Sequence, residues 1–287
     1  MFGVISFRPE QLETINATMS KQDVILVAPT GGGKSLTFQL PAVCENGLTL
    51  VVSPLVGLME DQLFGLRKRG INAEMLCSTT DKEVINRVHN TISDTSLNCP
   101  LKLLYVTPER LAKSKRLLSC LQKCHKNKKL ERIAIDEVHC CSSWGHDFRT
   151  DYKFLSSMKI TFPNVPIIGV TATASRKVLL EVQKMLNIRE SLIFCSRFNR
   201  PNLYYHVMEK PSENEATYDL LAHLLLNRYK GGSGIIYTFS IKDTETITSE
   251  LLQRNVKVRP YHASLEPRQR SKTYLQWMGN EIQAVGE

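Results

Sequence analysis

An apolar run, Val24-Ile25-Leu26-Val27, leads straight into Ala28-Pro29-Thr30-Gly31-Gly32-Gly33-Lys34-Ser35. A strand that ends in a glycine-rich turn and then enters a helix aims several backbone N–H groups and the positive helix end at one point. That arrangement suits a polyphosphate, with Lys34 reaching the β and γ phosphates and Ser35 holding Mg²⁺. The usual G-x-x-x-x-G-K-S spacing begins on glycine, where this chain has Ala28, a residue still small enough for the turn.

A second strand end carries acid. Ile133-Ala134-Ile135-Asp136-Glu137-Val138-His139 reads as a short buried strand closing on two adjacent carboxylates, with a histidine two residues on. At such a position an aspartate orders Mg²⁺ and its water shell, and a neighbouring glutamate polarises the attacking water. Asp136 and Glu137 fit those roles, downstream of Lys34 in the order a phosphate-loop domain requires.

Between these landmarks, strands and helices alternate. Strands are expected at Val24 to Val27, Leu48 to Ser53, Leu101 to Thr107, Arg132 to Asp136 and Ile167 to Thr171. The pattern predicts an α/β fold, a parallel sheet flanked by helices, with its ligand site at the carboxyl ends of the strands. Residues 1–195 form the expected first domain and 196–203 a linker. A second α/β unit follows over 204–287, with strands at Tyr204 to Val207, Gly234 to Phe239, Val258 to His262 and Ile282 to Val285. Its helices are expected near Tyr218 to Tyr229, Thr244 to Arg254 and Arg268 to Met278.

The net charge of +9 is concentrated. Residues 110–132 carry nine positive charges, from Arg110 to Arg132, against Glu131 alone. Either a polyanionic partner or a solvated helix face explains this, since Leu111, Leu117, Leu118 and Leu121 interleave at helical spacing. No apolar run approaches the roughly 18 residues of a membrane span, and the N-terminus lacks a signal-peptide pattern, so an intracellular protein away from membranes is expected. The eight cysteines are scattered, as in a reducing compartment. Cys120, Cys124, His125, His139, Cys140 and Cys141 cluster in sequence but match no zinc-ligand spacing, so no zinc is expected and buried apolar cysteine is the better account.

The ordered motifs resemble those of the RecQ DNA helicases, within the two-lobed DExH group, along essentially the whole chain. Phe7-Arg8-Pro9-Glu10-Gln11 is similar to the family's adenine-recognition motif, which implicates Arg8 and Gln11. Thr30, Gly31, Gly32, Gly33, Lys34 and Ser35 fall in its phosphate loop, and Asp136 to His139 in its DEVH box. Ser53, Pro54 and Leu55 with Asp61-Gln62, and Tyr105 to Arg110 including Thr107 and Pro108, resemble its DNA-backbone motifs. Thr171 and Thr173 lie in the motif that joins hydrolysis to movement. His139 to Arg149, holding Trp144, His146, Phe148 and Arg149, resembles an aromatic-rich loop peculiar to the family.

These matches have chemical reasons of their own. The Gln11 amide offers the donor–acceptor pair that fits the N6 and N7 edge of adenine. Trp144 and Phe148 give flat faces for unpaired bases, with Arg149 and His146 as donors, while His139 stands ready to report DNA contact to Glu137. The resemblance implies two RecA-like lobes, the second incomplete, because the chain stops before the motif and arginine finger expected after Glu281 to Val285. It implies ATP and Mg²⁺ as cofactors, single-stranded and forked DNA as partners, and 3′-to-5′ unwinding in nuclear repair and recombination, with unwinding by this chain impaired. A non-motor ATP- and DNA-binding module and a DExH RNA helicase remain as alternatives, the latter disfavoured by the Trp144 loop.

Overall fold

Seven strands of the N-terminal unit assemble into one sheet in which all neighbours run parallel. They are β1 (Val24–Val27), β2 (Leu48–Val52), β3 (Ala73–Leu76), β4 (Leu103–Val106), β5 (Leu130–Asp136), β6 (Ile167–Thr171) and β7 (Leu192–Cys195), in the spatial order β3-β4-β2-β5-β6-β1-β7. The computed structural model describes residues 2–94, 99–144 and 149–287, the Pro267 side chain excepted. Within it the chain divides into two compact units, Met1–Arg200 and Pro201–Glu287.

Helices α1 (Gln11–Met19), α2 (Leu36–Cys44), α3 (Val56–Lys68), α4 (Lys82–Ser93), α5 (Pro108–Lys113), α6 (Lys115–Lys126), α7 (Ser156–Thr161) and α8 (Arg176–Met185) connect the strands. Because side chains alternate along a strand, β1 sends Ile25 and Val27 to one core and Val24 and Leu26 to the other. The first core holds Val88, Leu117, Leu121 and Val182 of α4, α6 and α8; the second holds Phe38, Met59 and Leu63 of α2 and α3. With both faces covered, the central strands have no polar side and read as unbroken apolar runs.

At the amino edge of the sheet, left-handed residues turn the chain into the strands: Lys21 (φ 62°) before β1, Lys128 (φ 57°) before β5 and Asn187 (φ 57°) before β7. Exposed Pro163 and Asn164 lead into β6. The carboxyl edge carries the phosphate loop after β1, Asp136 at the end of β5 and Thr171 at the end of β6.

Part of the basic run points inward. Arg132 on β5 is fully buried, with Nη1 2.8 Å from Glu45 Oε2 and Nε donating to Thr18 Oγ1 at 2.7 Å. This joins the ends of α1 and α2 to the middle of the sheet. Lys129 is also buried, its ammonium donating to the Asp94 carbonyl at 2.8 Å. Two of the nine cations between 110 and 132 are therefore structural, and Leu111, Leu117 and Leu121 face the core while Leu118 packs at its margin.

The C-terminal unit has three parallel strands, β8 (Gly234–Ile236), β9 (Val258–Pro260) and β10 (Ala284–Gly286), in the order β8-β10-β9. Helices α9 (Asn214–His223), α10 (Ile241–Gln253) and α11 (Pro267–Met278) accompany them, and a five-residue π-helical turn, Leu224–Arg228, extends α9. Ala222, Leu225, Leu251, Val256, Val258 and Ala284 form the core. Two expectations change. The strand expected at Tyr204 to Val207 is irregular and exposed, and among the described residues no strand pairs with it. Conversely, β3 and β7 form at the two sheet edges without a clear sequence signal.

Candidate nucleotide and nucleic-acid site

After β1 the loop turns through left-handed glycines, Gly31 at φ 74° and Gly33 at φ 83°. The conformation at Gly33 brings its backbone against Gln11: Gln11 Nε2 donates to the Gly33 carbonyl at 3.1 Å and lies 3.4 Å from that of Gly32. A Cβ at Gly33 would stand 2.3 Å from that amide nitrogen, so no other residue fits without displacing Gln11. The Arg8 N–H donates to Gln11 Oε1 at 2.8 Å, fixing which end of the amide faces the loop. The Arg8 guanidinium donates to the Gly31 carbonyl, and Arg200 Nη1 to that of Thr30. A cavity of about 480 Å³ opens here, lined by Arg8, Gln11, Gly31, Gly33, Gln39 and Arg69.

Lys34 folds over its own loop, donating to the carbonyls of Ala28 at 3.0 Å and Pro29 at 3.4 Å. Burial holds its pKa below the ordinary lysine value, while the Glu137 and Asp136 carboxylates pull it back up. Ser35 is the N-cap residue of α2, and its hydroxyl makes no capping hydrogen bond.

The acidic pair closes the same site. Asp136 Oδ1 accepts from the Glu137 N–H at 3.0 Å, Ser53 Oγ donates to Oδ2 at 3.4 Å, and the Tyr152 hydroxyl donates to the Asp136 carbonyl at 3.1 Å. Burial, then the charge of Glu137, pushes the Asp136 carboxyl up to about 6. A buried carboxylate at odds with its neighbour, with serine hydroxyls on the same loops and strand ends, is an all-oxygen donor set suited to Mg²⁺, a hard cation that keeps several of its waters. Glu137 has left-handed backbone angles, φ 48° and ψ 48°, a strained conformation of the kind that collects at functional sites. Its Oε2 lies 3.3 Å from His139 Nδ1, which is 2.8 Å from Thr171 Oγ1. Thr171 Oγ1 also bonds the Thr173 carbonyl at 3.0 Å and accepts the Thr173 N–H at 3.1 Å. An unbroken line of polar contacts thus runs from Glu137 to Thr173.

The residues expected to meet DNA divide sharply by exposure. Leu55 is exposed and Pro54 half-buried, but Ser53 is fully buried on Asp136. Thr107 and Pro108 are buried as well: the Thr107 side chain accepts the Arg110 N–H at 3.3 Å and caps α5, whose first residue is Pro108. That placement is the usual one for a capping threonine followed by proline. Arg110 is half-buried, and its Nε has no hydrogen-bond partner among the described residues. On α2, Gln39 Nε2 donates to Gln62 Oε1 and to the Tyr105 hydroxyl, which itself donates to Gln62, all at 3.0 Å. Gln62 and Tyr105 come from the two DNA-backbone motifs and Gln39 from α2. Sequence reasoning missed this triad, whose only signal was its occurrence inside those motifs.

Trp144 is 62 % exposed, and Lys177 Nζ stands 3.0 Å from its ring centroid. The Arg149 N–H donates to the Cys140 carbonyl at 3.2 Å. His146 and Phe148 lie outside the described residues. Cys120, Cys124, Cys140 and Cys141 belong to the apolar core, and His125 packs edge-on to Phe162 at 5.4 Å. Among the described residues no three metal-binding side chains come together, and no helix is long and apolar enough to cross a membrane.

The family profile of the DEAD/DEAH box helicases matches residues 8–182, so the chain belongs to that family. Its curated relatives bear out the RecQ resemblance of the motifs. It is 52 % identical over 285 residues to ATP-dependent DNA helicase Q1 of Rattus norvegicus, a match covering 99 % of this chain and 46 % of the relative. It is 38 % identical to the ATP-dependent helicase SGS1 of Saccharomyces cerevisiae, over 99 % of this chain and 20 % of that one. The chain thus spans less than half the length of these relatives. Among solved structures, the fold is shared with the DUF1998 helicase MrfA bound to DNA, at TM-score 0.73 and 16 % identity, covering 99 % of this chain and 42 % of the other. It is shared also with the Pyrococcus furiosus Hef helicase domain, at TM-score 0.59 and 13 % identity, covering 98 % and 85 %. Both units therefore have the RecA-like fold.

Proposed function

We propose that the N-terminal unit binds Mg²⁺–ATP and that the chain is the motor portion of a RecQ-type 3′-to-5′ DNA helicase acting on single-stranded and forked DNA, in nuclear repair and recombination. Binding of ATP and single-stranded DNA is assigned to these 287 residues, and strand separation to a protein of the relatives' length. The reading rests above all on the convergence of Lys34, Asp136 and Glu137 at the carboxyl ends of β1 and β5, which flank β6, close enough for both carboxylates to act on the lysine.

In this reading Arg8 and Gln11 hold the adenine, and the loop of Thr30, Gly31, Gly32 and Gly33 wraps the phosphates, its turn closed by the Gly32 N–H, which donates to the Pro29 carbonyl at 2.8 Å. Lys34 leaves its loop carbonyls to reach the β and γ oxygens. Ser35 and Asp136 hold Mg²⁺, which when bound neutralises charge on the transferred phosphoryl group. Glu137 takes the proton of the attacking water, and His139 keeps the glutamate oriented while linking it to Thr171 and Thr173. Leu55, Pro54 and Arg110 border the path for the DNA backbone, and Trp144 offers a face to a base. Calorimetric ATP titration tests the nucleotide half: Lys34→Ala is expected to lose most of the affinity, and an unchanged affinity would remove the assignment. Competition between single-stranded DNA and RNA of equal sequence tests the other half, and preference for RNA would favour an RNA helicase.

A further inference from the structure

We propose that Lys177 and Glu181 are positioning residues that lock Trp144 in one orientation, with a single indole face offered to a base of single-stranded DNA; this rests on the reading of Trp144 as a DNA contact. The two side chains sit one turn apart on α8 and grip three consecutive residues. Ser142 Oγ donates to one Glu181 oxygen and Ser143 Oγ to the other at 2.7 Å, while the Trp144 N–H donates to Ser142 Oγ at 3.1 Å. Both carboxylate oxygens are engaged on successive residues, so the peptide can neither slide nor rotate without breaking a charge-assisted bond. The hydrogen bond from Ser142, the largest effect, keeps Glu181 more acidic than an ordinary glutamate and therefore charged.

Above this anchor the Lys177 ammonium covers one indole face at 3.0 Å, yet the residue stays 62 % exposed, which leaves the other face to solvent. An aromatic already fixed in place loses less freedom when a base stacks on it. Helix α8 starts directly after the Thr171–Thr173 turn, with Ser175 as its cap accepting the Val178 N–H at 3.4 Å. The lock and the threonine relay are therefore consecutive along the chain, the relay at the end of β6 and the lock on α8.

The test uses a Trp277→Phe background, which leaves Trp144 as the sole tryptophan and removes an indole N–H that has no hydrogen-bond partner among the described residues. Lys177→Met and Glu181→Ala are expected to lower the fluorescence anisotropy of Trp144 and to raise its quenching by acrylamide. Affinity for a labelled oligothymidylate should fall about two- to fivefold for Lys177→Met, the range of an exposed cation–π contact. Lys177→Arg should restore it, because a guanidinium also stacks on an aromatic face. The slope of log affinity against log salt should be unchanged in Lys177→Met. A slope smaller by about one would make Lys177 a phosphate contact and overturn the proposal. Unaltered Trp144 anisotropy in both variants would overturn the lock itself. Equal DNA affinity in the parent, Lys177→Met and Trp144→Ala would instead overturn the DNA reading beneath it.

Discussion

Asp136→Asn should make the protein more stable at neutral pH while depriving it of its ligand. In the folded chain the Asp136 carboxyl is pushed up to about 6 from an ordinary 3.8, by burial first and by Glu137 second. A raised acid holds its proton in the native state over a window where the unfolded chain has already released it. Its neutral form therefore favours folding fully below 3.8, and that advantage is lost as pH rises through about 6. At about 1.4 kcal/mol per pH unit, the gap bounds the cost of the charge at about 3 kcal/mol. Asparagine retains an oxygen for the Glu137 N–H and an amide for Ser53, and it cannot ionise. Urea unfolding without Mg²⁺ or nucleotide, followed on the N-terminal unit from pH 4 to 8, should show the two proteins nearly equal at the acid end. Asp136→Asn should be ahead by roughly 1–3 kcal/mol at pH 8. Adding Mg²⁺–ATP should stabilise the parent alone. A stability difference independent of pH, or a variant weaker than the parent at pH 8, would refute the reasoning.

Gln11→Ala should cut ATP affinity more than GTP affinity, because it removes the amide that Arg8 and Gly33 hold in place without altering the phosphate loop's own residues; equal losses for both nucleotides in calorimetry would separate Gln11 from base recognition. Glu45→Ala, which leaves the fully buried Arg132 without its carboxylate, should destabilise the N-terminal unit by about 3–5 kcal/mol in urea unfolding, and a loss under ~1 kcal/mol would mean that the Thr18 contacts suffice. Trp144→Ala should weaken binding of single-stranded DNA by about 1–3 kcal/mol at fixed salt in a fluorescence titration, and no loss would return the ring to a packing role.

The centre of this fold was legible because the strands buried on both faces leave long apolar runs. Val24 to Val27 and Ile167 to Thr171 have the expected bounds. The sheet edges were not: β3 reads Ala-Glu-Met-Leu with its two middle residues half-buried, and β7 is largely exposed, so neither shows the period of a covered strand. Tyr204 to Val207 has strand-like composition but, among the described residues, no pairing strand, which a local pattern does not reveal. The charge run misled for a related reason. Side-chain direction on β5 is fixed by the pleat, so Arg132 turns inward where charge counting placed it at the surface. In the site, residues whose role follows from backbone geometry or adjacency were readable, including the glycine loop and Asp136-Glu137. Those defined only by tertiary approach were not. Ser53 supports Asp136, Gln39 joins Gln62 and Tyr105, and Lys177 with Glu181 looks in sequence like any solvated pair on a helix.

An all-parallel sheet gives its two edges different chemical fates. The loops that carry Lys34, Ser53, Asp136 and Thr171 leave carboxyl ends, and the return turns through Lys21, Lys128, Pro163-Asn164 and Asn187 gather at the opposite edge. A tether placed at Asn164, after the exposed thiols Cys44 and Cys195 are replaced, would hold the molecule by its blunt side and turn the nucleotide face away from a glass surface. Single molecules immobilised in this way would present one orientation to an added ligand, so that binding could be recorded without averaging over how each copy happened to land.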